Sequence, residues 1–584
     1  MKRLPVLCST VLALAVLGSP ALHAEEDWVA RSDRNTDEVT ELFGRYVPEL
    51  IGQLGAEGLD EEVTRLGVEV DERLAGEERE LLAVLRERRS GEADARVAQD
   101  LDILIDLLDR ELRLDAAQRA ALLPYEDVTE TVFRGLRALL DDQVPEERRA
   151  AALVRLRRYA GLEEGYAPLT EQAEAYTRSG LDDSALLGPF REEVENDLDR
   201  GDRLVAGIAD LFREYELDGW EPAYETLRGQ LEAYAAFVRS TVLPRTREDY
   251  RLPGELYALQ LEDYGVDLDL DELVRRAKVS FREIQNEMQA LARLLAEERG
   301  LPSADYRDVL RVLQGEQLVG EEILTYYTDR IADVEAIIER ERIATLPARP
   351  LRLRIASDAE SAVVQAATIR WPQLLGDGAE VGEIILPLVR PATGDAEEDR
   401  GLTDFTSKAA AWSLVVHEGR PGHELQMASI LEGGISKARA FYAFNSTNVE
   451  GWALYAESEM KPYLPLDAQL VSLQHRLLRA ARAILDPGLQ RGEITREQAM
   501  RVLTEEVVFS QPMAEQEVER YTSRSPGQAV SYFCGYSRLL EIRADAERIL
   551  GERFDRRAFN DFVLSQGLVP PRLLRRAVME ELVR

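Results

Sequence analysis

Histidine and cysteine are scarce in this sequence. Of its 584 residues, four are His and two are Cys. Cys8 lies in an apolar N-terminal stretch typical of a secretion signal, so Cys534 is the only cysteine expected in the mature chain. A single cysteine excludes an intrachain disulfide. Stability must therefore come from packing. The mature chain of about 560 residues is long enough for two or three domain-sized units with a large core.

Positive charge is also in short supply. The sequence has 109 Asp and Glu residues against 72 Lys and Arg, and its formal net charge is −37. A chain this acidic would repel nucleic acid and anionic lipid. We therefore expect no nucleic-acid partner, and we interpret the charge mainly as a feature that keeps the protein soluble.

Long apolar segments are missing after the N-terminus. The stretch from Val6 to Leu17 is too short to span a bilayer, and no second hydrophobic span follows it. It comes after Met1-Lys2-Arg3 and ends in small residues, which is the pattern of a cleavable secretory signal. We predict that residues 1–24 are a signal peptide, cleaved after Ala21 or Ala24, with an uncleaved anchor as the alternative. The mature protein is then expected in the periplasm, without stable membrane insertion.

The rest of the sequence predicts a mainly α fold. From Asp37 to Leu346, apolar residues recur at three- and four-residue spacings among charged ones, and glycines and prolines separate these stretches. We divide the mature chain into an N-terminal helical scaffold, residues 25–350, and a catalytic region, residues 351–584, which pack as one bilobal unit around a cleft. A helical binding array is the alternative interpretation.

A small β-sheet is predicted at the start of the second region. Leu351 to Ile355 alternates apolar and charged residues, and Glu380 to Arg390 contains a short apolar run. Pro387 in the second segment favours an edge strand, since proline cannot donate to a ladder. An edge strand just before His417 and His423 would suit substrate binding. A β-hairpin that caps helices fits the sequence equally well.

Two of the four histidines lie six residues apart, in the segment His417-Glu418-Gly419-Arg420-Pro421-Gly422-His423. Imidazole is the commonest protein ligand of zinc, and a neighbouring carboxylate can act as a general base. On an ideal helix this spacing turns the second ring by about 120°, too far to share a metal ion. The Pro-Gly pair predicts a bulge or break that returns His423 to the side of His417. The segment therefore indicates a zinc site with Glu418 as base.

Carboxylates on the next predicted helix could complete the site. Glu450 and Glu457 are seven residues apart, so they share a helix face within about 20°. Trp452 and Tyr455 between them indicate a buried helix, where an unpaired charge is costly. We expect one carboxylate to bind the metal and the other to hold a histidine ring by its second nitrogen.

These motifs resemble the DUF885 family of bacterial proteins, which are zincin-like and often exported or lipid-anchored. The similarity includes the segments His417 to Gln426, Glu450 to Glu457, Asp486 to Gln490, Glu517 to Tyr521 and Pro526 to Gly535. The resemblance implies a helical cleft fold similar to the gluzincin peptidases, with a Zn²⁺ ion bound by His417, His423 and Glu450. It also implies that Glu418 is the catalytic base. Members commonly have His where Gln490 stands, and Gln490 could donate a hydrogen bond there but could not act as a cation.

Hydrolysis would also need a hydrogen-bond donor for the developing oxyanion. Tyr532, at the start of a glycine-rich predicted helix, is our candidate, and Arg520 and Tyr521 are second choices. For each tyrosine, a core position with a satisfied hydroxyl is the alternative. Arg520 could instead bind a substrate carboxylate or pair with Glu517. The remaining histidine, His475, is expected to be structural.

Three functional classes fit this site. The favoured one is an exported zinc metallopeptidase of short peptides, in which Glu418 takes a proton from water and delivers it to the leaving amine. The alternatives are a zinc amidase acting on a non-peptide or cell-envelope amide, and a catalytically inactive metal-binding helical protein. Glu418 counts against the inactive class, because a structural zinc site needs no base and closes its fourth position.

Overall fold

A computed structural model describes residues 27–318, 320, 322–356, 368–376, 380–386 and 404–584. The predicted signal peptide, residues 1–24, lies outside these ranges. A helix that could span a bilayer, which needs about 20 apolar residues, is absent from the described part of the chain.

Helices form most of the N-terminal region, as the amphipathic pattern predicts. They are α1 (Trp28–Tyr46), α2 (Pro48–Gln53), α3 (Val68–Gly91), α4 (Ala95–Ala121), α5 (Val128–Arg137), α6 (Glu146–Arg149), α7 (Ala151–Tyr159), α8 (Leu169–Gly180), α9 (Arg191–Glu214), α10 (Glu221–Phe237), α11 (Gly254–Asp263), α12 (Leu270–Arg299), α13 (Tyr306–Gln314) and α14 (Glu322–Glu341). Local sequence signals set their ends. In α12 the Asp269 side chain accepts a hydrogen bond from the Glu272 backbone N–H, and Gly300 ends the helix with a φ of 64°.

Three short strands then form the predicted small sheet. They are β1 (Arg352–Ile355), β2 (Thr368–Arg370) and β3 (Glu383–Leu386), in the order β1-β3-β2. β3 pairs in parallel with β1, with Leu353 opposite Ile384, and antiparallel with β2. All four residues of β3 are buried, so the strand lies inside the protein on both faces.

The sheet corrects two expectations. The segment with Pro387 was predicted to be an edge strand, but β3 is the central strand of the three. The hairpin alternative is also wrong, because β1 and β3 are parallel. The residues of β3 pair with β1 over residues 383–386 and with β2 over residues 383–385, and none of them is a proline, so each can take part in a ladder. Residues 387–390 of the predicted segment lie outside the described ranges.

Helices return after the sheet. They are α15 (Lys408–Leu414), α16 (His423–Gly433), α17 (Ser446–Met460), α18 (Leu466–Gln490), α19 (Arg496–Arg501), α20 (Gln511–Glu519), α21 (Gln528–Leu550), α22 (Arg556–Ser565) and α23 (Pro571–Ala577). α18 continues to Gln490 through Pro487. A proline so near the helix end removes few helical hydrogen bonds. The mainly α fold with one small sheet is confirmed.

The helices around the candidate site share one apolar core, which joins α12, α13 and α14 to β3, α15, α18 and α21. α17 and α21 cross with their backbones in close contact. A Cβ on Gly535 would overlap the carbonyl oxygen of Thr447, and a Cβ on Gly451 would lie 2.6 Å from the carbonyl carbon of Gly535. Only glycine fits at this crossing, which therefore fixes the distance between the helix that contains Glu450 and the helix that contains Tyr532.

Candidate metal centre

The chain between the two central histidines leaves the helix, as the Pro-Gly pair predicts. α15 widens into a π-turn over Val415–Gly419, and Arg420 is extended, with φ −115° and ψ 135°. The peptide bond between Arg420 and Pro421 is cis. A new helix, α16, then begins at His423, so the two histidines belong to different helical segments.

This break brings the two imidazole rings together. A Cβ on Gly422 would overlap the carbonyl oxygen of His417, so only glycine lets the chain pass this close to the end of the first helix. The indole N–H of Trp452 donates to the Pro421 carbonyl oxygen at 2.9 Å and ties the turn to α17. The ring centroids of His417 and His423 lie 4.8 Å apart, with their planes at 80°.

Arg420 holds the turn from its other side. Its buried guanidinium donates to the Glu424 carboxylate at 2.6 and 3.2 Å, to the Glu335 carboxylate at 2.7 Å and to the Arg349 carbonyl oxygen at 2.6 Å. Bidentate arginine–carboxylate pairs fix geometry as well as charge. Glu424, although it follows His423 directly, is therefore occupied by Arg420 and does not face the histidines.

Three side chains meet at one point beside this turn. The ligand atoms of His417, His423 and Glu450 all lie within 4.8 Å of one another. Glu450 Oε2 is 3.5 Å from His417 Nε2 and 3.4 Å from His423 Nε2. The same Glu450 oxygen and His423 Nδ1 have no hydrogen-bond partner in the described part of the chain, although both atoms are buried.

This donor set fits a zinc ion. Zinc prefers imidazole nitrogen and carboxylate oxygen in tetrahedral geometry, with bonds of about 2.0–2.1 Å, so two ligand atoms should lie about 3.3 Å apart. The two imidazole–carboxylate distances, 3.5 and 3.4 Å, are close to that value. A buried carboxylate oxygen without a hydrogen-bond partner is also costly unless a cation contacts it. Two imidazoles and one carboxylate leave one tetrahedral position open.

Glu457 holds the first histidine from behind. Its Oε1 lies 2.7 Å from His417 Nδ1, which leaves Nε2 pointing to Glu450. Arg479 approaches the same Glu457 oxygen at 3.7 Å. Burial alone would raise the pKa of Glu457, but Arg479 and His417 outweigh it and lower that pKa. The two glutamates thus divide the two tasks expected of them, with Glu450 at the candidate metal position and Glu457 outside it.

The pKa values of His417 and Glu450 are shifted at the candidate metal position. Burial disfavours the charged form of His417, but the Glu450 carboxylate and the hydrogen bond with Glu457 prevail and raise its pKa to about 9. Burial also works against ionised Glu450, yet contact with both histidines holds its pKa well below the usual range. Glu450 therefore holds a negative charge beside the imidazoles, and a divalent cation can replace the imidazole proton as its counter-charge.

Glu418 is on the cleft side of the histidines. Its carboxylate lies 4.0 Å from His417 Nε2, its side chain is 14% exposed, and it lines the same cleft as His417 and His423. Burial raises the pKa of its carboxyl. It makes no hydrogen bond with any described residue, unlike Glu424 and Glu457, so it remains available to a molecule in the cleft.

The cleft beside these residues has a volume of about 470 Å³ and is open to solvent. One part of its wall is apolar and includes Ile369 of β2, Trp371 and Phe444. The ring centroids of Trp371 and Phe444 lie 5.5 Å apart. Another part is basic, with several arginines from α18 and from the π-turn that follows α20. The small sheet therefore contributes to the cleft through β2, a strand that the sequence did not predict.

The three candidate oxyanion donors occupy different places. Tyr532 lines the cleft, and burial together with the nearby Glu450 carboxylate raises its pKa. Tyr521 is fully buried and its hydroxyl donates to Glu517 at 2.6 Å. Arg520 lines the cleft, but the partner of Glu517 is Arg482, which donates to both carboxylate oxygens at 2.8 and 2.6 Å. Of the two tyrosines, only Tyr532 is therefore in position to contact a substrate.

Two other polar residues named from the sequence have structural contacts. Gln490 accepts a hydrogen bond from the Leu252 backbone N–H and donates to the Tyr521 carbonyl oxygen, so both ends of its amide are occupied. His475 Nδ1 lies 2.9 Å from the Ser413 hydroxyl, and burial lowers the pKa of this histidine to about 3. His475 is consequently neutral at physiological pH.

Sequence reasoning missed Arg479 and Arg482 as cleft residues. Both lie in the apolar run of α18, where an unpaired charge would be costly, and that cost was the available signal. Each has a carboxylate beside it, Glu457 for Arg479 and Glu517 for Arg482. The guanidinium carbon of Arg482 also lies 4.5 Å from the ring centroid of Tyr532, so the arginine helps to hold that ring at the cleft.

Comparison with known proteins agrees with the motifs. The DUF885 family, described as "Bacterial protein of unknown function", matches residues 48–578. No curated protein matches the chain.

Two solved structures share the fold. One is a "putative lipoprotein of unknown function" from Shewanella oneidensis, with TM-score 0.73 and 18% identity, covering 95% of this chain and 100% of that one. The other is a "putative lipoprotein" from Colwellia psychrerythraea, with TM-score 0.75 and 18% identity, covering 94% and 97%. The chain belongs to the DUF885 family.

Proposed function

We propose that the protein is a zinc-dependent hydrolase that cleaves peptide bonds. The observation that supports this most directly is the meeting of His417, His423 and Glu450 beside an open cleft. The Glu418 carboxylate lies next to them, 4.0 Å from His417 Nε2, and makes no hydrogen bond with a described residue. A divalent cation held there would supply a Lewis acid for a water molecule and for the scissile carbonyl. A structural zinc site would instead close all four positions with protein ligands and would need no base.

The chain's own residues have distinct roles in this proposal. Glu418 accepts a proton from the attacking water as the water oxygen bonds to the carbonyl carbon. It then delivers that proton to the amine nitrogen as the C–N bond breaks, which leaves a carboxylic acid and an amine. Tyr532 donates a hydrogen bond to the carbonyl oxygen while negative charge develops on it. Glu457 keeps His417 in the tautomer and orientation that present Nε2.

Short peptides are the proposed substrates. A cleft of about 470 Å³ is in the range of sites that bury a small ligand, so it suits a few residues of extended chain better than a folded protein. The leader-like N-terminal sequence and the lipoprotein descriptions of the two similar structures support a location outside the cytoplasm, which we propose to be the periplasm.

A mixed peptide library tests this function. We expect mass spectrometry to detect cleavage of some peptides by the zinc-loaded mature protein, no cleavage after dialysis against a chelator, and recovery when zinc is returned. A parallel set of non-peptide amides tests the amidase alternative under the same conditions. Cleavage of amides without cleavage of any peptide would reject the peptidase proposal, and unchanged peptide cleavage by the chelated protein would reject the metal.

A further inference from the structure

Two cationic side chains in the cleft have no anionic partner among the described residues. They belong to Arg520 and Arg524, the first and last residues of the π-turn that follows α20, and both line the cleft. Neither side chain makes a hydrogen bond or an ion pair with any residue that the structure describes, although Arg520 is partly buried. The charge of Glu517 acts on Arg520, but both carboxylate oxygens of Glu517 accept hydrogen bonds from Arg482.

Arg520 combines partial burial in the cleft with the lack of a counter-ion in the described chain. With a net charge of −37, the protein has an excess of carboxylates that could pair with Arg520, and most of its other arginines have such partners. A cation that is partly removed from water loses hydration energy unless an anion contacts it. A planar guanidinium matches a carboxylate through two parallel hydrogen bonds, which a lysine ammonium cannot reproduce. An anionic group on the ligand would therefore complete this part of the cleft.

The arginines lie close to the candidate metal position. Arg520, Tyr532 and Glu450 line the same cleft, which has a volume of about 470 Å³. The basic part of the cleft wall and the candidate metal position therefore belong to one small site. An extended chain covers about 3.3–3.6 Å per residue. If the carboxylate of a ligand binds Arg520, the amide bond that lies beside Glu418 is therefore at most a few residues away from that carboxylate.

We propose that Arg520, assisted by Arg524, binds the C-terminal carboxylate of a peptide, so that the protein cleaves its substrates near the C-terminus. This inference rests on the proposed function, because it identifies the part of the substrate that the same cleft recognises. The apolar wall next to the basic one accepts a large side chain, since Phe444 is 40% exposed there beside Trp371.

Peptide binding to the metal-free mature protein tests the inference without any turnover. The probe is fluorescein-labelled Ala-Ala-Phe, measured by fluorescence anisotropy with a free carboxylate and as the C-terminal amide. We expect the carboxylate form to bind at least about tenfold more tightly. Arg520→Gln should remove that difference and leave the affinity for the amide within about twofold. Arg576→Gln is the matched control, because it removes the same charge from an exposed arginine without an ion pair in the described chain.

A third probe separates the two sources of a carboxylate. Ala-Asp-Phe amide has an acidic side chain but no C-terminal charge, and we expect it to bind as weakly as Ala-Ala-Phe amide. Equal binding of acid and amide, no binding of either, or tight binding of the Asp-containing amide would overturn the inference. If the circular dichroism spectrum shows that Arg520→Gln is unfolded, Arg520→Lys is measured in its place. An undiminished preference for the carboxylate form in Arg520→Lys would also overturn the inference.

The proposed function and this inference fail in different ways. A carboxylate preference without any metal-dependent cleavage would contradict the hydrolase proposal and leave carboxylate binding intact. Metal-dependent cleavage of acid and amide peptides with equal kcat/KM, together with equal binding, would leave the hydrolase proposal intact and contradict the proposed carboxylate binding.

Discussion

Replacing Glu418 by Gln is expected to lower kcat by about 10³-fold while zinc remains bound, because general-base catalysis typically contributes 10²- to 10⁴-fold. Glutamine has nearly the same shape as glutamate but cannot accept a proton from water at neutral pH. The ligands His417, His423 and Glu450 are unchanged by the substitution, so metal affinity should stay close to that of the parent protein. The measurement is kcat on a peptide from the library, with the zinc-to-protein ratio determined on the same sample.

Glu515→Gln is the matched control for this variant. Glu515 is an exposed residue of α20 outside the cleft, and the substitution removes the same charge. We expect its kcat to equal that of the parent protein. Parent-like turnover in Glu418→Gln would exclude Glu418 as the base, and loss of zinc from Glu418→Gln would indicate that its carboxylate is a ligand instead.

His423→Ala is expected to weaken zinc binding by more than about 100-fold, since even groups that only orient a ligand change metal affinity by 10- to 100-fold. Alanine leaves His417 and Glu450 as the remaining ligands and gives water a second coordination position. Turnover should fall with zinc occupancy. Competition with a chromophoric chelator measures the affinity, and the circular dichroism spectrum shows whether α16 remains folded.

His475→Gln is the comparison for this experiment, because it changes the other histidine of the described chain. Glutamine can still hydrogen-bond the Ser413 hydroxyl, and His475 does not contribute to the three-residue cluster. We expect zinc affinity to stay within about twofold of the parent value. An affinity of His423→Ala for zinc equal to that of the parent protein would show that His423 is not a ligand.

The metal cluster was largely predictable because its chemistry is local in the sequence. The six-residue spacing of His417 and His423 excluded a regular helix, and Pro421-Gly422 gave a physical reason for the break. The seven-residue spacing of Glu450 and Glu457 placed both on one helix face. The spacing alone left open which glutamate faces the metal position, because helical periodicity does not determine which neighbouring element a face contacts. The resemblance to the DUF885 family is what indicated Glu450.

The walls of the cleft were much less predictable. β2 has only three residues, too few to show an alternating pattern, and the strand order depends on contacts between segments that are distant in sequence. Pro387 was misleading, because the residues of β3 that pair on both sides all precede it. Arg479 and Arg482 face the cleft only because α18 is surrounded by other helices, and a helix buried on nearly all sides has no polar face to indicate its orientation.

The net charge of the protein was easier to predict than the local charge of its cleft. Net charge is a property of composition and was visible at once, whereas the two unpaired arginines of the cleft become visible only when the carboxylates around them are located. An acidic protein can therefore have a locally basic site, and its overall charge does not identify its ligand.

Anomalous scattering at the zinc edge, from crystals of the mature protein grown with zinc, tests the central claim most directly. We predict one strong peak per chain at about 2.0–2.2 Å from His417 Nε2, His423 Nε2 and a carboxylate oxygen of Glu450. A fully occupied peak elsewhere, or no peak at these three residues, would contradict the proposed metal centre and the hydrolytic function that depends on it.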